Sequence, residues 1–303
     1  VPSPLLLAVP NVSEGRDTHV IETIAQAFRQ PGARLLDVHS DADHHRSVFT
    51  LAAEQARLAD TLLSGAQAAS ASVDVVARSS NATDDKGQHP HVGAIDVVPV
   101  VYLDPAARGA AAATALTVAD RLAQELGIPV FLYGELTEDD QTPARTRAQI
   151  RRGGIPALRE RLAADEIKPD FGPAELHPTA GATLVAARPP LVAFNIQLAP
   201  PATLADAERI AGLIREGGAS GLPGVRAIAV ELQGGVAQVS TNVERPFELT
   251  LAEVVDAVQR HAPVASAELV GLAPGAALAG FPAEVELLGF DPARHLLENA
   301  LRS

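Results

Sequence analysis

The sequence predicts an α+β protein built from two ferredoxin-like (βαββαβ) subdomains with a ligand cleft between them. Three observations lead there. Each half of the 303 residues runs strand, helix, strand, strand, helix, strand. A segment rich in glycine, proline and charge, 151–187, joins the halves. The chain is 47% hydrophobic and 20% charged, which is enough apolar material for two cores. The division is set at 1–180 for the N-terminal subdomain and 181–303 for the C-terminal one.

The elements follow in order. Residues 5–9 form a short apolar run, and 20–28 carry apolar residues at helical spacing. Segments 35–39 and 48–53 read as extended, 58–69 as helical, and 94–102 as a β-branched strand. Asp104 is placed to cap a further helix with Pro105 at its first position, and 130–133 is one more strand. In the second half, 191–198 is a strand, and Thr203 with Asp206 makes a capping box opening a helix through 214. Strands 225–232 and 236–241 flank Gly234 and Gly235, a hairpin signal. Thr250 and Glu253 open a helix over 251–261, and 263–270 returns as a strand.

Composition removes several function classes. The absence of cysteine excludes disulfides, thiolate metal sites and a cysteine nucleophile. A net charge of −13 with no basic stripe argues against nucleic acid as a partner. No apolar run approaches the ~18 residues of a membrane span, and no signal-peptide pattern opens the chain, so a cytoplasmic protein is expected. There is no Gly-rich phosphate loop and no Gly-x-Ser-x-Gly elbow.

Three loops carry candidate chemistry. The first, 11–16, follows the first strand and holds Ser13, Glu14, Gly15 and Arg16. The second, 41–47, gathers Asp41, Asp43, His44, His45 and Arg46, and the Arg46 guanidinium can grip a carboxylate through two parallel hydrogen bonds. The third, 85–96, places Lys86, Gly87, His89, Pro90 and His91 just before a strand. Pro90 stiffens the loop that presents His89, and an imidazole titrates where proton transfer to an amine requires it. Each loop also has a purely structural account, as a helix start or a solvated turn.

Taken together, these residues resemble the glutamate formiminotransferase family, including the transferase part of formiminotransferase-cyclodeaminase. The likeness runs through Val9-Pro-Asn-Val-Ser-Glu-Gly15, Asp41-Ala-Asp-His44, Arg46-Ser-Val48, Lys86-Gly87, His89-Pro90, Gly93-Ala94 and Asp96-Val97. It continues with Leu132-Tyr-Gly-Glu135, Lys168-Pro-Asp-Phe-Gly-Pro173, Gly181-Ala-Thr183, Ala193-Phe-Asn195, Gln238-Val-Ser-Thr-Asn242 and Leu269-Val-Gly-Leu272. The resemblance implies transfer of a formimino group between N-formimino-L-glutamate and tetrahydrofolate, as in histidine degradation and one-carbon metabolism. It implies that tetrahydrofolate is a co-substrate, that no metal is needed, and that a homodimer is the candidate assembly. It implies His89 as the proton acceptor. The folate-binding stretch corresponds to Gly172, Pro173, Ala174, Glu175, Leu176, His177, Pro178, Thr179, Ala180 and Gly181. Both substrates carry carboxylates, and Arg46, Lys86 and Arg188 are the candidates to bind them. The family usually has Asn, Glu and Arg where this chain has His45, Gln88 and His91. These 303 residues leave no room for the helical cyclodeaminase domain of the bifunctional members. Two other readings stay open: a diverged folate-binding protein with a different acceptor or no turnover, and a metal-dependent hydrolase using His39, His44, His45, His89 or His91 with Asp41 and Asp43.

Overall fold

The computed structural model describes residues 3–80, 90–138 and 144–303. The chain divides into two compact units, Val1–Pro189 and Pro190–Ser303.

The first unit is a seven-stranded sheet with helices packed on it. Its opening strand is broken into β1 (Leu5–Ala8) and β2 (Asn11–Val12). Pro10, which has no N–H to give, lies in the break. Helix α1 (Thr18–Phe28) follows, capped by the Asp17 carboxylate, which accepts from the amides of His19 and Val20. It buries Ile21, Ile24, Ala25 and Phe28 along one stripe. The hairpin β3 (Ala33–Asp41) and β4 (Arg46–Glu54) then leads into α2 (Gln55–Ser72) and the short α3 (Val75–Ser80). Strand β5 (Ile95–Val101) is buried along its whole length. Helix α4 (Arg108–Leu126) crosses over to β6 (Val130–Leu132), then α5 (Arg147–Arg151) and α6 (Gly154–Ala163) lead to β7 (Thr183–Arg188).

In that sheet β3 pairs with β4, β4 with β1 and β2, and these with β5, all antiparallel. Beyond β5 the sheet continues in parallel through β7 to β6. Strand β7 corrects the division made from sequence. The segment 151–187 is not a simple connector, and the boundary at 180/181 falls just before a strand that belongs to the first unit. Residues 183–187 are buried on both faces beside β5 and β6, so they show no alternation.

The second unit contains β8 (Val192–Leu198), α7 (Leu204–Ile214), β9 (Val225–Leu232), β10 (Val236–Val243), α8 (Leu251–Gln259) and β11 (Val264–Val270). The strand order is β11-β8-β10-β9, with β12 (Glu286–Leu288) added in parallel beside β11. Short α9 (Pro292–His295) and α10 (Leu297–Ala300) close the chain. Both expected capping boxes form, at Thr203 with Asp206 and at Thr250 with Glu253. Gly234 and Gly235 both take left-handed backbone at the tip of the β9–β10 hairpin. Alternation sorts the strands. Val192, Phe194, Ile196 and Leu198 of β8 join Val239, Val243, Ala267 and Leu269 in the core with α7 and α8. The intervening residues put Asn195, Gln197, Gln238, Ser240, Ser266 and Glu268 on the other face.

Two helical glycines give opposite expectations. A Cβ at Gly65 in α2 would overlap the Phe28 ring, which packs on Phe49 with ring centroids 5.2 Å apart. Overpacking of about 1–3 kcal/mol outweighs the roughly 1 kcal/mol gained in helix propensity, so Gly65→Ala lowers stability. A Cβ at Gly212 in α7 meets nothing, so Gly212→Ala raises stability by about 0.5–1 kcal/mol. Urea denaturation of both variants checks the pair, and a stabilised Gly65→Ala overturns the packing account.

Candidate functional site

The loop 11–16 is held by buried polar groups. Ser13 donates its hydroxyl to the Gly93 carbonyl at 2.7 Å and its amide to Ala94 at 2.9 Å. The Glu14 carboxylate, 5% exposed, accepts from the amides of Arg16 and Asp17 and lies 3.0 Å from Arg78. Arg78 also donates to the Ser13 carbonyl. Burial pushes the Glu14 pKa up, but those amides, the nearby His45 ring and Arg78 together hold it below the ordinary carboxylate value.

The loop 41–47 packs against the same segment. His45 is buried, and its Nδ1 accepts from the Gly15 amide at 3.1 Å beside the Glu14 carboxylate. His45 also has φ +48°, a left-handed backbone that Asn tolerates better than most residues. Ser47 donates to the Glu14 carbonyl, and the Asp41 carboxylate accepts from the His44 amide at 2.8 Å. Arg46 opens β4 opposite Asp41. Burial, together with the Arg151 guanidinium, presses its pKa down to about 10, so it stays charged at neutral pH.

His89, Lys86 and Gln88 lie outside the described residues. The chain from Val92 to Asp96, just C-terminal to them, is closely bonded. The Val92 amide donates to Asp96 at 2.8 Å, and the other oxygen of that buried carboxylate pairs with Arg151. Gly93 meets Gly181 as an antiparallel bridge. The Ala94 amide donates to the Ala180 carbonyl and the Ala182 amide to the Val92 carbonyl, both at 2.9 Å. A Cβ at Gly93 would overlap the Ala182 carbonyl oxygen, and one at Gly181 the Val92 carbonyl oxygen. The stretch 172–181 is thereby tied to the loop end. Its first residues, Gly172, Pro173, Ala174 and Glu175, are exposed, as is Pro178. Leu176, His177 and Thr179 are half-buried, while Ala180 and Gly181 are buried. Burial lowers the His177 pKa, and the neutral ring accepts the Ala180 amide through Nδ1 at 3.0 Å, which shapes the turn.

The segments 11–16, 41–47, 90–96 and 172–181 therefore converge at the end of the sheet where β5 and β7 begin. Arg188 does not join them. It ends β7, opposite Val101, about 17 Å along the strand from Thr183. Arg78 and Arg151 were not singled out from sequence, whereas Glu14 and Asp96 lay in the candidate loops without a role of their own. Asp96 sits in the Asp96-Val97 match to the family, but Arg78 and Arg151 carry no local signal, because the burial of a charge depends on tertiary packing. Among the described residues no three His, Asp or Glu side chains are grouped to hold a metal ion. No helix of the described residues is long and apolar enough to cross a membrane.

Residues 5–188 match the formiminotransferase domain, N-terminal subdomain. The chain belongs to the formiminotransferase family. Its likeness to individual members extends across both units. It is 37% identical over 305 residues to the glutamate formimidoyltransferase of Streptococcus pyogenes serotype M1, covering 97% of each chain. It is 31% identical over 296 residues to the glutamate formimidoyltransferase of Thermoplasma acidophilum, covering 95% of this chain and 94% of that one. Against the formimidoyltransferase-cyclodeaminase of Rattus norvegicus the identity is 39% over 290 residues, covering 91% of this chain. The chain spans about half of that relative, 51% of its length.

The Glu14 cluster predicts an acid response in this family member. Its folded pKa lies below the usual value of 4.5, so its stabilisation is present above that value and is lost as pH falls through the folded pKa. Unfolding free energy is expected to drop as pH falls below 4.5, and Glu14→Gln to flatten that drop while lowering stability at pH 7. Urea midpoints across pH for both proteins decide it. An unchanged slope in the variant assigns the acid response to other groups.

Proposed function

We propose that this chain is a glutamate formimidoyltransferase that moves a formimino group from N-formimino-L-glutamate to tetrahydrofolate in the cytoplasm. The observation that supports this best is the convergence of four loops at one sheet end, in a chain aligned along its length with enzymes of that name. Convergence of the segment that follows His89, a basic loop and a glycine-clamped stretch suits a reaction whose main demand is to hold two substrates face to face.

In this reading His89 does the proton work. The folate N5 attacks the formimino carbon, and His89 takes the proton that this nitrogen gives up. The carbon–nitrogen bond to glutamate then breaks, and His89 returns the proton to the departing amine. One imidazole suffices because each step restores the form the next one needs. The stretch 172–181 is the proposed folate-binding segment, and its end is anchored to Val92 and Ala94, which follow His89 closely in the chain. Lys86 and Arg188 remain carboxylate candidates, Arg188 for a group at the far end of β7.

We also propose that both units are ferredoxin-like. Supporting this, β11-β8-β10-β9 in the second unit repeats the order of β5, β1 with β2, β4 and β3 in the first.

The test mixes purified protein with tetrahydrofolate and N-formimino-L-glutamate and follows acid-promoted conversion of the product to the absorbing methenyl form. Turnover is expected, with a loss of about 100-fold or more in His89→Ala. Full turnover in the variant removes His89 from its role. Folate binding without turnover in the parent moves the protein to the diverged folate-binding reading.

A further inference from the structure

Three guanidiniums lie together near the start of β4, and two of them lack a carboxylate among the described residues. Arg46 opens that strand. Arg147 and Arg151 stand four apart on α5, so they share one side of that helix. Arg151 is paired with the buried Asp96. Among the described residues, no acceptor hydrogen-bonds the side chain of Arg46 or Arg147, and neither forms an ion pair. Arg151 and Arg147 both repel Arg46, while Asp96 and Asp41 attract it.

The floor of this cluster is also incomplete. Arg147 lies over the Tyr133 ring, 5.7 Å from its centroid, which holds the guanidinium in place by cation–π attraction. Tyr133 is 6% exposed, and its hydroxyl has no hydrogen-bond partner among the described residues. The Nε of Arg151 is likewise buried and unpartnered. Buried donors are normally satisfied, and like charges are normally kept apart. Unmatched cations beside unmatched donors are the features that an anionic ligand completes, and a planar carboxylate matches guanidinium geometry.

We propose that Arg46, Arg147, Arg151 and Tyr133 form a carboxylate site for a glutamyl group, with Arg147 as its principal anchor. The choice of ligand rests on the formimidoyl transfer proposed above. Two sources share this chemistry: the glutamate skeleton of the formimino donor and the glutamyl tail of the folate. Sequence reading singled out Arg46 alone, because Arg147, Arg151 and Tyr133 are 85 or more residues away in the chain.

Isothermal titration of the parent, Arg147→Gln and Tyr133→Phe with L-glutamate, pteroylglutamate and pteroate separates the sources. Arg147→Gln is expected to weaken one glutamyl ligand by about 10-fold or more and to leave pteroate unchanged, with a smaller loss in Tyr133→Phe. Loss confined to L-glutamate assigns the donor, and loss confined to pteroylglutamate assigns the folate tail. Parent-like binding of both glutamyl ligands by Arg147→Gln overturns the site. A second measurement needs no variant: phenylglyoxal modification of the parent, mapped by mass spectrometry. A glutamyl ligand is expected to shield Arg147 but not the exposed Arg302, and the absence of shielding overturns the proposal. Neither experiment requires turnover. Glutamyl binding without transfer keeps the site and removes the proposed reaction.

Discussion

The candidate site depends on one close approach of two backbones. Gly93 and Gly181 come from loops far apart in sequence and meet without a side chain between them. Flanking amides of Ala94 and Ala182 close the bridge on both sides, and the Ser13 hydroxyl binds the Gly93 carbonyl from the first loop. A Cβ at either glycine would occupy the space of a backbone oxygen, which cannot move without breaking the bridge. Through this contact, the residues after His89 and the stretch 172–181 share one frame with the loop that begins at Asn11.

Around that contact lie two ionic arrangements of different kinds. Glu14 is fully served: two amides, an arginine and a neighbouring imidazole surround its carboxylate, which suits a rigid support. The Arg46, Arg147 and Arg151 group is under-served, with Asp96 committed to Arg151 and the Val92 amide. A buried network with all partners present tends to fix structure, whereas one with missing partners is poised for a ligand. The same sheet end thus supplies both a scaffold and a place for charge to be neutralised.

Much of this fold was legible. Helices such as α1, with Ile21, Ile24, Ala25 and Phe28 at helical spacing, announce themselves through periodicity. The capping boxes at Thr203 and Thr250 and the Gly234–Gly235 turn are local chemistry, and local chemistry is what a sequence displays. Strand β7 was hidden for the converse reason. Buried on both faces between two parallel neighbours, it has no polar side to mark its period. The same reason displaced the domain boundary from 180/181 to Pro189 and Pro190.

The sequence by itself determined the order of elements, the family likeness, and the presence of histidine and arginine in loops beside strand ends. Those properties are encoded in neighbouring residues, through spacing, caps and turns. Only the tertiary structure decided which charges meet. It set Arg151 against Asp96, 55 positions apart, stacked Arg147 on Tyr133, and carried Arg188 to the far end of β7. Burial and pairing of charge depend on residues distant along the chain, so no local pattern in the sequence records them.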